Sequence, residues 1–398
     1  MTDKKTRVPK CPYFADPTEV KEEVELAPGE GRNCGGCATQ HLTYERQLSN
    51  KKDRLIQELD GYSDIQVYSD EEWFYRNRMD MVFTSGGLGF KEKGKWWRTL
   101  PVKQCVISNP RLNELITEIN EFFGPEFDFF NVKTHDGTYK YATIRTPQKD
   151  SSVSIVLNRQ SERYDEAVKK VRAYAEVSSA NNVLITNMKA KSSQSFGTDF
   201  EVVKGSEMLE EALMGKVFHY SSQGFFQNNS VMAEKMHEYV HKLLKGYKRG
   251  EYAHLLDLYG GVGAFGVVNA DLFHKVTTIE DFEACTVAAK ANIERNQLGN
   301  VEALCMDAKR LKQVKLPTNE LYVVTDPPRS GMHEETIIQL KKLRPAKIIY
   351  ISCNVEQLGK DLPKFKDYEI RSAALFDLFP QTNHMESVVE LSLRGSLV

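Results

Sequence analysis

The chain has 398 residues, 41% of them hydrophobic, with 53 Lys and Arg against 55 Asp and Glu for a formal net charge of -2. That length suits two or three domains with ample core, and the charge excludes a uniformly basic nucleic-acid binder, although local balance matters more than the total. No apolar run approaches the roughly 18 residues of a membrane span, and the opening Met-Thr-Asp-Lys-Lys-Thr-Arg lacks a secretion signal, so a cytoplasmic protein without disulfides is expected.

Residues 12–33 are polar and acidic (Glu22, Glu23, Glu25, then a Pro28-Gly29 turn) and read as a loop. Apolar spacing predicts a helix over 41–59. From 73 to 103 there are seven basic residues, among them Arg76, Arg78, Lys95 and Arg98, against Asp80 and Glu92. Trp73, Phe74, Tyr75, Trp96 and Trp97 are interleaved with them. Cations beside aromatics suit phosphates and unstacked bases, but an ordinary hairpin with a solvated face reads the same way. A hairpin is predicted over 79–90, around Ser85-Gly86-Gly87. A helix follows at 112–123, strands at 141–146 and 153–158, a helix at 162–176 and a strand at 182–186. This is a mixed α/β region without a dinucleotide loop.

Beyond about residue 215 the pattern changes. A helix is predicted over 229–244, capped by Asn229 or Ser230. Apolar strands follow at 254–258, 276–280, 301–305, 321–325, 347–351, 368–374 and 387–393, separated by helical segments that include 284–296 and 334–343. Such alternation means a parallel, doubly wound sheet. The last two strands lack a crossover helix and should form an antiparallel edge hairpin. The first strand runs into Asp257-Leu258-Tyr259-Gly260-Gly261-Val262-Gly263, a glycine-rich turn of the kind that meets a nucleotide-like cofactor. Glu280 ends the next strand, placed for ribose hydroxyls. The spacing is not that of a nicotinamide fingerprint and better fits S-adenosylmethionine. Asp326-Pro327-Pro328-Arg329 follows another strand, and Ser352-Cys353-Asn354 puts a thiol at a strand end, where open α/β sheets build active sites and a thiol pKa can be lowered. Cys285 and Cys305 read instead as buried fillers. Near the end, His384 and Glu386 could supply a general base.

Phe225-Phe226-Gln227-Asn228-Asn229, 257–263, 326–329, 352–354 and 379–386 occur in the order found in RNA 5-methyluridine methyltransferases. Over nearly its whole length the chain resembles the iron–sulfur branch of that family, which modifies ribosomal RNA in bacteria and ribosomal or transfer RNA in archaea. The resemblance implies a class I S-adenosylmethionine-dependent methyltransferase domain, Rossmann-like, at 216–398. Ahead of it, an iron–sulfur and RNA-binding domain of mixed α/β fold would occupy 1–215, with the 40–59 helix packing on the catalytic domain. It implies that Gln227, Tyr259, Gly261, Glu280 and Asp326 bind the cofactor, that Cys353 is the nucleophile and that Glu386 is the base. Phe225 and Arg329 would meet the RNA, together with Arg76, Arg78, Lys95 and Arg98.

The family's [4Fe-4S] cluster would be held here by Cys11, Cys34, Cys37 and Cys105, although the Cys11–Cys34 spacing is long and four thiolates also suit zinc. Ten residues before Cys11 are too few for the small β-barrel many relatives carry, so RNA grip is expected from the central domain. The expected partner is RNA, 23S ribosomal RNA before transfer RNA position 54, with no DNA and no membrane, and the protein a monomer. A non-catalytic RNA-binding factor is the competing class, favoured only if nucleophile or base were lost.

Overall fold

The computed structural model describes residues 5–15, 33–124, 128–248, 250–317 and 320–395; most of the acidic loop expected over 12–33 lies outside them. The chain begins with α1 (Tyr44–Glu58) and the short β1 (Ile65–Tyr68). Next come β2 (Arg78–Thr84), β3 (Gly87–Glu92), β4 (Lys95–Pro101), α2 (Pro110–Phe123), β5 (Tyr139–Arg145), β6 (Ser152–Asn158), α3 (Tyr164–Val177), β7 (Asn182–Met188) and β8 (Phe200–Lys204). These strands form a seven-stranded sheet in the order β4-β3-β2-β5-β6-β7-β8, with α2 and α3 on one face.

The start of α2 shows how sequence sets such an element. The Asn109 side chain accepts from Leu112 N, and Pro110 opens the helix, where its missing N–H costs nothing. Leu112, Leu115, Ile116, Ile119 and Phe123 then recur on one face and are all buried. Each contributes roughly 2 kcal/mol of apolar burial.

A hairpin of β9 (Met208–Leu213) and β10 (Lys216–Ser221) pairs only with itself. The 215/216 boundary falls in its turn, and Leu209, Leu213, Phe218 and Tyr220 pack into the core of the second sheet. That sheet is built from α4 (Ser230–Gly246), β11 (His254–Leu258), α5 (Ala264–Val268), β12 (Lys275–Glu280), α6 (Glu283–Arg295), β13 (Val301–Cys305), β14 (Leu321–Thr325), α7 (Glu334–Leu343), β15 (Lys347–Ser352), α8 (Val355–Asp361), β16 (Tyr368–Phe376) and β17 (Glu386–Leu393). Its order is β1-β16-β17-β15-β14-β11-β12-β13. Strands β11 to β15 are mutually parallel, which is the doubly wound arrangement of a class I methyltransferase.

The expected edge hairpin is not at the edge. β17 runs antiparallel between β15 and β16, and β1 adds in parallel beyond β16. A four-residue strand far from its partner in sequence leaves no periodic signal; β4 and β8 are largely exposed and show no apolar alternation, whereas β9 and β10 pair within one short hairpin and do alternate in burial. Strand order reverses between β14 and β11, so the loops after β11, β14 and β15 open together at a switch point. Among the described residues no helix is long and apolar enough to cross a membrane.

Candidate active site

The turn after β11 is held by its own backbone requirements. Tyr259 adopts φ 58° and Gly261 φ 55°, and a left-handed tyrosine costs of the order of 1–2 kcal/mol, which the surrounding fold must offset. A Cβ on Gly260 would approach Thr278 Cγ2 to 2.3 Å, whereas one on Gly261 would meet nothing within 4 Å. The turn is therefore tight against β12 and open on its other side. Asp257 is buried; its Oδ2 accepts from Gly266 N at 3.0 Å and from the Thr278 hydroxyl at 3.3 Å, while burial pushes the carboxyl up to about 7. Glu280 accepts from Gly261 N at 3.0 Å and Phe282 N at 2.9 Å, with burial raising it despite both bonds. Its carboxylate thus sits against the glycine turn, where a ribose would lie.

Cys353 follows β15, and Glu386 opens β17. In the antiparallel register Ser352 lies opposite Ser387, so the next pair outward is Cys353 and Glu386. The Ser387 hydroxyl locks that end by donating to Ser352 O at 3.1 Å. Asn354 caps α8 by accepting from Gln357 N and donates to Arg329 O at 2.9 Å, tying the thiol's turn to the Asp326–Arg329 loop. The thiol is half-buried and pushed up to about 11, by burial first and then by the charges of Glu386 and Asp326, with Arg329 hydrogen-bonded to it in opposition. This corrects the expectation of a lowered thiol pKa: the strand end is flanked by two acids and is desolvated. Glu386 is only 5% exposed, and burial, then Asp326, raises its carboxyl far above the usual range against the pull of Arg329. Burial takes Asp326 to about 7.

Cys353, Glu386, Arg329, His384, Gln227 and Phe225 share one cleft of about 500 Å³. Phe225 is 64% exposed, whereas Phe226 is buried and stacked on Tyr220 at 4.4 Å between ring centroids, so the paired phenylalanines divide into one open surface and one core residue. His384 is kept below its ordinary value by burial and the surrounding cations. The expected RNA-facing cations fare unequally. Arg76 lines the cleft. Lys95 and Arg98 are on the exposed β4 edge but both pair with Glu92, at 3.3 and 3.0 Å. Arg78 is not on an accessible face: it is buried, bonded to Asp80 at 3.2 Å and to Gly224 O at 3.4 Å. Of the other thiols, Cys305 is exposed because β13 is an edge strand, contrary to the filler reading, and Cys285 is half-buried.

Cys11, Cys34, Cys37 and Cys105 line the opposite wall of the same cleft. Burial pushes Cys34 and Cys37 up to about 12, and Cys11 is raised too. Charge repulsion from Cys105 helps to raise Cys11, Cys34 and Cys37, so the four thiols are electrostatic neighbours. Gly36 N donates to Cys34 Sγ at 3.4 Å. Among the described residues, no group of three or more His, Cys, Asp or Glu is arranged to hold a single metal ion. Sequence reasoning missed how this wall is joined to the catalytic loop. Ala38 N and Thr39 N, just past Cys37, donate to Gln381 O at 2.8 and 3.1 Å. The Gln381 amide in turn meets Gln47 and Glu72 at 3.0 and 2.8 Å. No local pattern marks such a network; only the fold brings its members together.

The doubly wound sheet, the open glycine turn at its switch point and the strand-end acids define a class I S-adenosylmethionine-dependent methyltransferase. The tRNA (uracil-5-)-methyltransferase family model matches residues 43–394. The chain is 32% identical over 395 residues to an uncharacterized RNA methyltransferase of Caldanaerobacter subterraneus subsp. tengcongensis, covering 93% of this chain and 87% of the relative. It is 31% identical over 360 residues to the tRNA (uracil(54)-C(5))-methyltransferase of Pyrococcus horikoshii, covering 90% and 83%. The crystal structure of the Pyrococcus abyssi tRNA (uracil-54, C5)-methyltransferase with S-adenosyl-L-homocysteine superposes with a TM-score of 0.75 at 26% identity, over 96% of this chain and 94% of that one. The chain belongs to the tRNA (uracil-5-)-methyltransferase family and is an S-adenosylmethionine-dependent RNA uracil-C5 methyltransferase.

Proposed function

We propose that the enzyme methylates C5 of a uridine in structured RNA through a covalent adduct between Cys353 and C6 of the base. The observation that carries this reading is the β15–β17 register, which sets a thiol beside a buried carboxyl with Arg329 bridging towards both. C5 of uracil is too electron-poor to take a methyl cation equivalent directly. The Cys353 thiol first gives its proton to solvent; attack of the resulting thiolate on C6 forms the S–C bond and moves the C5–C6 π pair onto C5 and O4, and that pair takes the methyl group as S-adenosylhomocysteine leaves. Glu386 then accepts the C5 proton, the C–H electrons restore the C5–C6 double bond, and the thiolate leaves. S-adenosylmethionine supplies the methyl group and, when bound, a sulfonium charge. Gln227, Tyr259, Gly261, Glu280 and Asp326 hold it. Burial disfavours the ionised forms of both the thiol and Glu386, and Arg329 is the resident cation that favours them.

The uridine must leave its stack to reach this cleft, and Phe225 offers a stacking surface there. The substrate is 23S ribosomal RNA, bound by a monomer without DNA, as in the branch the motifs resemble. Position 54 of transfer RNA is the second reading, favoured by the named activity of the Pyrococcus horikoshii relative. Residues 1–215 would grip the RNA, and Cys11, Cys34, Cys37 and Cys105 would hold a [4Fe-4S] cluster. In support, all four donors are soft thiols, one carries an N–H···S bond of the kind that tunes such clusters, and a cluster spreads its ligands more widely than a single ion does.

Cys353→Ala should abolish methylation and every covalent protein–RNA species. Glu386→Gln should transfer the methyl group and then stall, losing about 10²–10⁴-fold in turnover and accumulating an adduct that survives denaturing electrophoresis. Turnover by Cys353→Ala, or wild-type turnover by Glu386→Gln, would disprove the mechanism. Mapping 5-methyluridine in the ribosomal and transfer RNA of a deletion strain decides between the two substrates.

A further inference from the structure

The segment 189–197, between β7 and β8, is laid along β5 as a strap. Lys140 Nζ donates to the carbonyls of Lys189, Ala190 and Ser192 at 3.0, 2.8 and 2.7 Å. The Tyr141 hydroxyl donates to Ser193 O at 3.2 Å and the Thr143 hydroxyl to Ser195 O at 2.9 Å. These donors come in order along β5, so the strap follows that strand to its end, where Arg145 donates to Gly224 O. With so many carbonyls turned onto the sheet, Lys189, Lys191 and Phe196 are left exposed on the outer side.

Phe196 is 43% exposed, yet it is not loose. The Arg78 guanidinium lies 5.8 Å from its ring centroid and also donates to Gly224 O, the residue before Phe225. A second tie runs from Gly197 N to Gln223 Oε1 at 3.1 Å. Arg78 therefore ties the Phe196 ring on the strap to the backbone just before Phe225, whose exposed ring lines the cleft. The strap itself carries no acid, so Lys189 and Lys191 give it its charge; at its far end they share a pocket with Asp128, Asp136 and Glu162.

We propose that Phe196 stacks an unpaired nucleotide of the substrate RNA beside the target uridine, with Lys189 and Lys191 on the flanking phosphates. The proposal rests on the RNA reading above. Extruding a uridine breaks the stack of its neighbour as well, and a braced aromatic replaces that lost stacking whatever the base. An exposed ring on a strap that carries two lysines and no acid suits a polyanion with flat faces better than it suits a protein surface.

The test is fluorescence anisotropy of a fluorescein-labelled oligouridylate with the full-length protein. Phe196→Ala and Phe196→Leu should each bind about 5- to 150-fold more weakly, the range for loss of one base–aromatic stack, while Phe196→Trp should stay near wild type. Binding of S-adenosylmethionine should be unchanged in all three, which separates lost stacking from misfolding. Lys189→Ala/Lys191→Ala should flatten the salt slope by about 1.4. Wild-type binding by Phe196→Ala overturns the proposal, as does rescue by leucine equal to that by tryptophan, or a wild-type protein that does not bind the oligouridylate. Should wild type and variants behave as expected while wild type methylates no RNA, the methyltransferase reading fails and the stacking site stands.

Discussion

In the proposed mechanism Cys353 must supply a thiolate in a place that opposes one. Its sulfur is held at a pKa of about 11 by burial and by Glu386 and Asp326. At about pH 8 its thiolate fraction is therefore about 100-fold below that of an unperturbed thiol. Iodoacetamide should label Cys353 far more slowly than the exposed Cys305, with a rate rising about tenfold per pH unit toward pH 11, read by mass spectrometry of the two peptides. A flat pH profile for Cys353 would show that the acids do not reach it. Asp257 lends itself to a stability measurement. Its folded pKa, about 7, lies above the ordinary carboxylate value, so the folded state holds a proton that the unfolded state has lost. Stability from this group is present below about pH 4 and is lost as pH rises through about 7. Asp257→Asn removes that loss, so the melting temperature of the variant minus that of wild type should increase between about pH 5 and about pH 8.

At the scale of elements, α1 acts as a brace for the loop that leads into β17. Lys51 donates to Asp377 at 2.6 Å and to Phe379 O at 3.1 Å, and the pair is almost wholly buried. Breaking it leaves the buried Asp377 carboxyl without its cation. Lys51→Met should therefore cost about 3–5 kcal/mol, and Lys51→Met/Asp377→Leu should recover most of it. The pair between Arg54 of the same helix and Glu356 of α8 is as short, at 2.5 Å, but its side chains are 39% and 52% exposed. Arg54→Ala should cost less than about 1 kcal/mol. Denaturant melts of the three variants check the contrast, and equal losses at the two pairs would mean that burial does not set their worth.

On the scale of the molecule, the cleft has one wall from each sheet. Cys353, the proposed nucleophile, and the four cysteines Cys11, Cys34, Cys37 and Cys105 all line it, with Gln381 joining the Cys37 turn to the loop that ends in Glu386. Anaerobically purified protein should be brown and hold about four irons per chain; zinc without iron would overturn the cluster. Cys37→Ser should lose the iron and lower the melting temperature, because the same turn anchors the catalytic loop. Retention of full iron by Cys11→Ala would point to another ligand in its place.

The sequence by itself determined what is local. The glycine turn at 259–263, the strand-end positions of Asp326 and Cys353, the Asn229 cap of α4 and the alternation of strands and helices beyond residue 215 all depend on neighbours a few residues away, and local residue type and a 2.0 or 3.6 period record them directly. Tertiary structure alone decided what depends on remote partners. β1 docks onto β16, and β17 enters the sheet instead of edging it. That insertion sets Glu386 beside Cys353. Arg78, which reads as one more cation of a basic segment, turns out to be buried against Gly224, so exposure and not residue type decides whether it can meet a phosphate. The thiol's pKa moves the opposite way to the strand-end expectation for the same reason: desolvation and through-space charge are sums over neighbours that chain order does not contain.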